Sequence, residues 1–132
     1  MSYLLDVDSC AAVVRKVARA HTRFLQNLGA VHVSVVALTE LELWLTRART
    51  PLRYQQSYVA LLQQVALLNV DQAIAYQAAR VGSILYEQGR RVSTADLLIA
   101  ATAMVHNLTL VTHGTQVFAG LPGLSVEDWR VP

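Results

Sequence analysis

At 132 residues the chain is long enough for one domain with a sizeable core, and 54% hydrophobic against 15% charged residues excludes a disordered tail or linker. The net charge of +2 is too small to announce nucleic acid by itself, and no apolar run approaches the roughly 20 residues needed to span a bilayer. A lone cysteine, Cys10, leaves no internal disulfide, and no basic-then-apolar leader opens the chain, so a cytoplasmic protein is the expectation.

Tyr3 to Asp6 reads as a short buried strand that ends in an acid. From Cys10 to Leu28 apolar residues recur at helical spacing (Val13, Val14, Val17, Phe24), with Arg15, Lys16, Arg19 and Arg23 on the other side. Gly29 is a natural stop for that helix. Val31 to Val36 is β-branched and apolar and suits a second strand. The helix after it carries Leu38, Leu41, Trp44 and Leu45 and ends before Pro51. A third helix is expected from about Tyr54 to Leu68, and a fourth from a cap at Asp71 to Glu87, with Gly89 as its stop. Ser93 or Thr94 caps a fifth helix reaching about His106. Thr109 to Thr112 is a strand, and Leu124 to Val126 a short last one after the Pro122-Gly123 turn. No repeat or linker interrupts residues 1–132, which read as a single domain.

Strands this apolar, alternating with helices, require a mostly parallel sheet covered on both faces. In such sheets ligands bind beyond the carboxyl ends of the strands. Asp6 and Thr112-His113 stand at such ends, Glu40 follows the second strand, and Asp96 starts a helix, so all can reach one rim. Carboxylates about 4 Å apart repel by roughly 4 kcal/mol at an effective dielectric near 20, and a cluster of them persists by taking up protons or a cation. Oxygen donors suit Mg²⁺ or Mn²⁺, which would make the protein a phosphodiesterase-type enzyme.

Each acid also has a plainer explanation. Asp96 follows a capping serine or threonine, where the helix dipole favours a carboxylate. Glu40 and Glu42 suit a solvated first turn, and Asp8 suits a helix cap. Asp6, after Leu4-Leu5, has no obvious partner. The arginine clusters suit solvated helix faces. His21, His32, His106 and His113 share no zinc-ligand spacing, and no phosphate loop or hydrolase elbow is present.

At these residues the chain resembles the PIN domains, and among them the VapC-type toxin ribonucleases. The likeness spans nearly the whole length: Tyr3-Leu4-Leu5-Asp6, Ser34 with Thr39-Glu40-Leu41, Asp96 through Ala103, Leu108 through Thr112, Phe118, Leu121 through Leu124, and Val126 through Trp129. It implies a three-layer α/β/α fold, Mg²⁺- or Mn²⁺-dependent RNA cleavage, a homodimer, and inhibition by a cognate antitoxin. Asp6, Glu40 and Asp96 match its catalytic acids. Asp6 and Asp96 would hold the metal, and Glu40 would join them or orient the attacking water. Thr112 and His113 would face the RNA.

Two departures stand out. Val7-Asp8 replaces the usual Thr-Asn after the first acid, and Gly114 and Val117 occupy places where that family carries a further polar or acidic residue. Asp8 is therefore a candidate for restoring charge to the metal site. Loss of the fourth contribution keeps a second reading open, a degenerate PIN-like module that binds RNA or protein without turnover. A third reading is a nuclease directed at DNA or at a particular nucleic-acid structure.

Overall fold

The computed structural model describes residues 1–47 and 49–132. Five strands form one sheet: β1 (Tyr3–Leu5), β2 (Val31–Ser34), β3 (Ala66–Leu68), β4 (Thr109–Val111) and β5 (Val126–Glu127). Their order is β3-β2-β1-β4-β5, and every pairing is parallel. Six helices flank them in a three-layer α/β/α arrangement: α1 (Val7–Val14), α2 (Ala18–Gln26), α3 (Val35–Arg47), α4 (Leu52–Gln64), α5 (Gln72–Glu87) and α6 (Thr94–Val105). β1 and β4 carry consecutive apolar residues because both of their faces are covered, whereas in β2 the half-buried His32 separates Val31 and Val33. Leu4, Leu5, Val33 and Val111 are fully buried, and Val31 and Leu110 nearly so.

Four expectations need correction. The early helix is two helices, because Lys16 adopts a left-handed conformation (φ 57°) and Val17 is extended, which turns the chain after α1. Asp8 does not cap α1. Asp6 does, its Oδ1 accepting from the Ser9 amide at 2.9 Å, and Asp8 lies in the first turn. The helix expected to reach Leu68 stops at Gln64, and Ala66–Leu68 becomes the edge strand β3. That strand is mostly exposed, so it carries no buried alternation to set it apart from the helix before it. The strand expected over 31–36 also ends early, at Ser34, whose Oγ accepts from the Val36 amide at 3.1 Å and starts α3. The Asp71 and Ser93 caps are present, accepting from the amides of Ile74 and Asp96.

Register decides what the sheet presents at its carboxyl edge. Leu5 pairs with both Val33 and Val111, so the next residues, Asp6, Ser34 and Thr112, come level on three adjacent strands. Strand order also reverses at β1: β2 and β3 lie to one side, β4 and β5 to the other. The connections leaving β1 and β4 therefore diverge, and a crevice opens between them at the switch point.

Candidate active site

A cavity of about 130 Å³ occupies that crevice. Asp6, Asp8 and Asp96 edge it, Thr112 and Gly114 supply its strand-end side, and Val117 and Phe118 are among its apolar walls. The local sequence explains each placement. Asp6 is both the last residue before α1 and its N-cap, so its carboxylate is held at the strand end. The Thr112 hydroxyl lies close enough to favour its charged form. Ser9, buried, donates from Oγ to the Val111 carbonyl at 2.9 Å and ties α1 to β4 beneath the acid. Asp96 stands in the first turn of α6, its amide bonded to the Ser93 cap, and its side chain is exposed.

Burial pushes the Asp6 carboxyl above its ordinary range; the Thr112 hydroxyl and hydrogen bonding from Ser9 work against that, and the Asp8 charge adds to it. Glu40, one helical turn into α3, is raised as well, first by partial burial and then by the charges of Asp96 and Asp8. The acids are thus electrostatically coupled, and among the described residues none of them is held in an ion pair. Among the described residues the ion pairs are Arg23–Glu127 and His113–Asp128, both outside this group.

The expected residues divide into three sets. Asp6, Asp8, Asp96 and Thr112 share one cavity. Glu40 lines an adjoining recess with Asp8, so it borders the cavity without opening into it. His113 is not among the cavity's lining residues; it points to Asp128, with Nδ1 2.8 Å from Oδ2. Among the described residues no three acids, histidines or cysteines are gathered closely enough to form a ready-made cage. Mg²⁺ does not require one, since it usually takes one or two carboxylates and keeps several waters. A set of uncompensated carboxylates with a hydroxyl beside them, and no sulfur or imidazole, fits a hard divalent cation. Cys10 is fully buried, and burial followed by the Asp6 charge pushes its thiol far up, which excludes a nucleophilic role.

Two contributors were not foreseen. Ser9 has a readable signal, the three-residue spacing from Asp6 typical of a cap. Arg90 has none. Its guanidinium reaches from the α5–α6 connection to the carbonyls of Gln116, Val117 and Ala119, at 3.1 Å for the first and 2.9 Å for the last. It pins the 3₁₀ turn Thr115–Phe118, and with it the Val117 and Phe118 wall of the cavity.

Comparison with known proteins agrees with this geometry. Residues 4–123 match the PIN domain. The tRNA(fMet)-specific endonuclease VapC of Shigella flexneri is 30% identical over 130 residues, with 98% of both chains covered. Among solved structures, DNA-bound VapBC from Salmonella typhimurium superposes with a TM-score of 0.86 at 25% identity, covering 98% of each chain. VapBC2 from Rickettsia felis, bound to a promoter DNA fragment, gives 0.87 at 22% identity over 98% of this chain and 99% of that one. With an acid at the end of β1, a second at the start of α6 and a match across 120 of its residues, the chain belongs to the PIN-domain family, in its VapC-type branch.

Proposed function

We propose that this protein is a metal-dependent endoribonuclease and the toxin of a toxin–antitoxin pair. The observation that carries the reading is the uncompensated carboxylate group at the sheet's switch point, with Asp6, Asp8 and Asp96 around one cavity. The ribonuclease names of relatives matched over nearly their whole length support it. A solved toxin–antitoxin complex from Klebsiella pneumoniae, with a TM-score of 0.73 at 23% identity, shares the fold.

Asp6 and Asp96 would hold Mg²⁺ or Mn²⁺, with Asp8 adding charge at the mouth. The cation, when bound, supplies Lewis-acid polarisation of a phosphoryl oxygen and makes water a better nucleophile near neutral pH. The protein's own part is positional. Thr112 steadies the Asp6 carboxylate, Glu40 takes a proton from water at the border it shares with Asp8, and Val117 and Phe118 wall the cavity. Glu40 suits that task because burial and its acidic neighbours raise its proton affinity. The products follow from hydrolysis of one P–O bond of the RNA backbone.

RNA is the proposed substrate and a cognate antitoxin the proposed partner, and the active form is proposed to be a homodimer in the cytoplasm. No described helix is long and apolar enough to cross a membrane. The deciding experiment incubates the purified chain with single-stranded RNA, structured RNA and DNA, in EDTA and over a Mn²⁺ and Mg²⁺ titration, beside Asp96→Asn. Metal-dependent RNA products that Asp96→Asn fails to make are expected. Binding without any product would instead establish the degenerate module, which the apolar Val117 in the cavity wall favours.

A further inference from the structure

A second recess adjoins the acidic cavity. It measures about 330 Å³ and is lined by Val7, Asp8, Ala11 and Arg15 on one side, and by Glu40 and Trp44 on the other. Helical geometry accounts for both sides. Val7, Asp8, Ala11 and Arg15 fall on one face of α1, and Glu40 and Trp44, four apart, fall on one face of α3. One turn further along α3, Glu40, Leu43, Trp44 and Arg47 line another recess of about 410 Å³. Glu40 and Trp44 belong to both, so the half-buried indole stands between them with one arginine on each side.

The indole is also braced. Trp44 packs on Tyr54 with ring centroids 6.1 Å apart, and the Arg53 guanidinium sits 5.0 Å from the centre of the Tyr54 ring. A braced aromatic flanked by two cationic side chains is the arrangement that holds single-stranded nucleic acid: the ring stacks a base, and the arginines track the phosphates. The volume falls at the small end of ligand sites, suited to a nucleoside rather than to a larger group.

We propose that Trp44, with Arg15 and Arg47, forms a stacking subsite for an unpaired nucleotide of RNA, next to the carboxylates at Asp8 and Glu40. The proposal rests on the nuclease reading for its substrate and goes beyond it in assigning how the strand is gripped. It requires an unpaired base, since a base inside a duplex offers no free face. It is indifferent to base identity, because every base has a face to stack. Glu40 joins the two sites, as a wall of the subsite and a neighbour of the acids.

The test uses the two tryptophans. Trp129 is 2% exposed, stacks edge-on with Tyr3 and bonds Glu127, so a polar quencher or base reaches Trp44 far more readily. A short unstructured oligoribonucleotide, titrated in EDTA so that it stays intact, is expected to quench the emission saturably, while the same oligonucleotide annealed to its complement does not. In cleavage assays with Mn²⁺, Trp44→Ala raises KM about tenfold or more while kcat falls much less, and Trp44→Phe recovers most of the loss. Arg15→Ala, at an exposed position, raises KM and flattens the log-log salt slope by about 0.7. Wild-type KM in both Trp44→Ala and Arg15→Ala, with no quenching, would overturn the subsite and leave the nuclease standing; it is also the result expected if this face serves a protein partner instead. Saturable quenching by a chain that cleaves nothing would do the reverse.

Discussion

Asp6→Asn and Asp6→Ala remove the same negative charge but differ in what they leave at the start of α1. Asparagine caps a helix as well as aspartate does, and its amide oxygen can still accept from the Ser9 amide. Alanine leaves the Ser9 amide without its partner, at a cost of about 1 kcal/mol. The gap between the two variants is therefore about 1 kcal/mol, or about 4 °C in melting temperature for a chain of this size. Both lose cleavage, on the order of a thousandfold, since a cation's contribution to transition-state charge is several kcal/mol.

The pH dependence gives an independent check on the same carboxylate. Its folded pKa is raised by burial, so the folded chain holds this proton more tightly than the unfolded one. The associated stability is fully present below the unfolded value of about 3.9 and is lost as pH rises through the folded value. Glu40 contributes with the same sign. Metal-free wild type is thus expected to lose stability upward from about pH 4, by at most about 1.4 kcal/mol per pH unit for each group. In Asp6→Asn the Asp6 share of that slope is absent. Mg²⁺ at a hundred times its dissociation constant restores about 2.7 kcal/mol to wild type above that window and nothing to the variant. Thermal unfolding followed by circular dichroism, in EDTA and in saturating Mg²⁺ across this range, reads all three effects. An Asp6→Asn protein with the pH profile, Mg²⁺ response and cleavage rate of wild type would refute the reasoning.

Two further predictions concern the loop that closes the cavity. Gly114→Asp adds a carboxylate to the wall facing Asp6 and Asp96 at a residue with φ −87°, where a side chain is unstrained and only the Val117 methyl, 3.3 Å from the new Cβ, must yield. The Mn²⁺ concentration for half-maximal cleavage should fall severalfold; an unchanged titration would mean that Gly114 does not face the cation. Arg90→Ala frees three carbonyls of the 3₁₀ turn, which are solvated once released, so melting should shift by less than about 4 °C. Cleavage efficiency should still drop severalfold, with faster hydrogen exchange over residues 115–119, and Arg90→Lys should not rescue it because a single ammonium nitrogen cannot reach the carbonyls that two separate guanidinium nitrogens hold.

The main architecture was legible because it follows from local pattern. Paired apolar residues such as Leu4-Leu5 demand cover on both faces, and that requirement selects a parallel sheet with helices on each side. Caps at Asp71 and Ser93 and stops at Gly29 and Gly89 were visible for the same reason: each is a short-range chemical rule, and both glycines do adopt positive φ. What misled was also local. Lys16 carries no mark of a left-handed residue, and Ala66–Leu68 continues an apolar helix pattern, so only packing could break the first helix and extend the sheet.

The site divides along the same line. That Asp6 ends a buried strand and Asp96 opens a buried helix is written in the order of residues, and so is the absence of a further acid at Gly114 and Val117. That these acids meet is not. It depends on register, which brings Asp6 level with Thr112, and on the reversal of strand order at β1, which opens a crevice there. The turn held by Arg90 and the recess between α1 and α3 likewise join residues that are far apart in the chain. Chain order determines which groups can carry charge at an element's end; long-range pairing, whose free energy belongs to the whole core, decides which of those ends share one pocket.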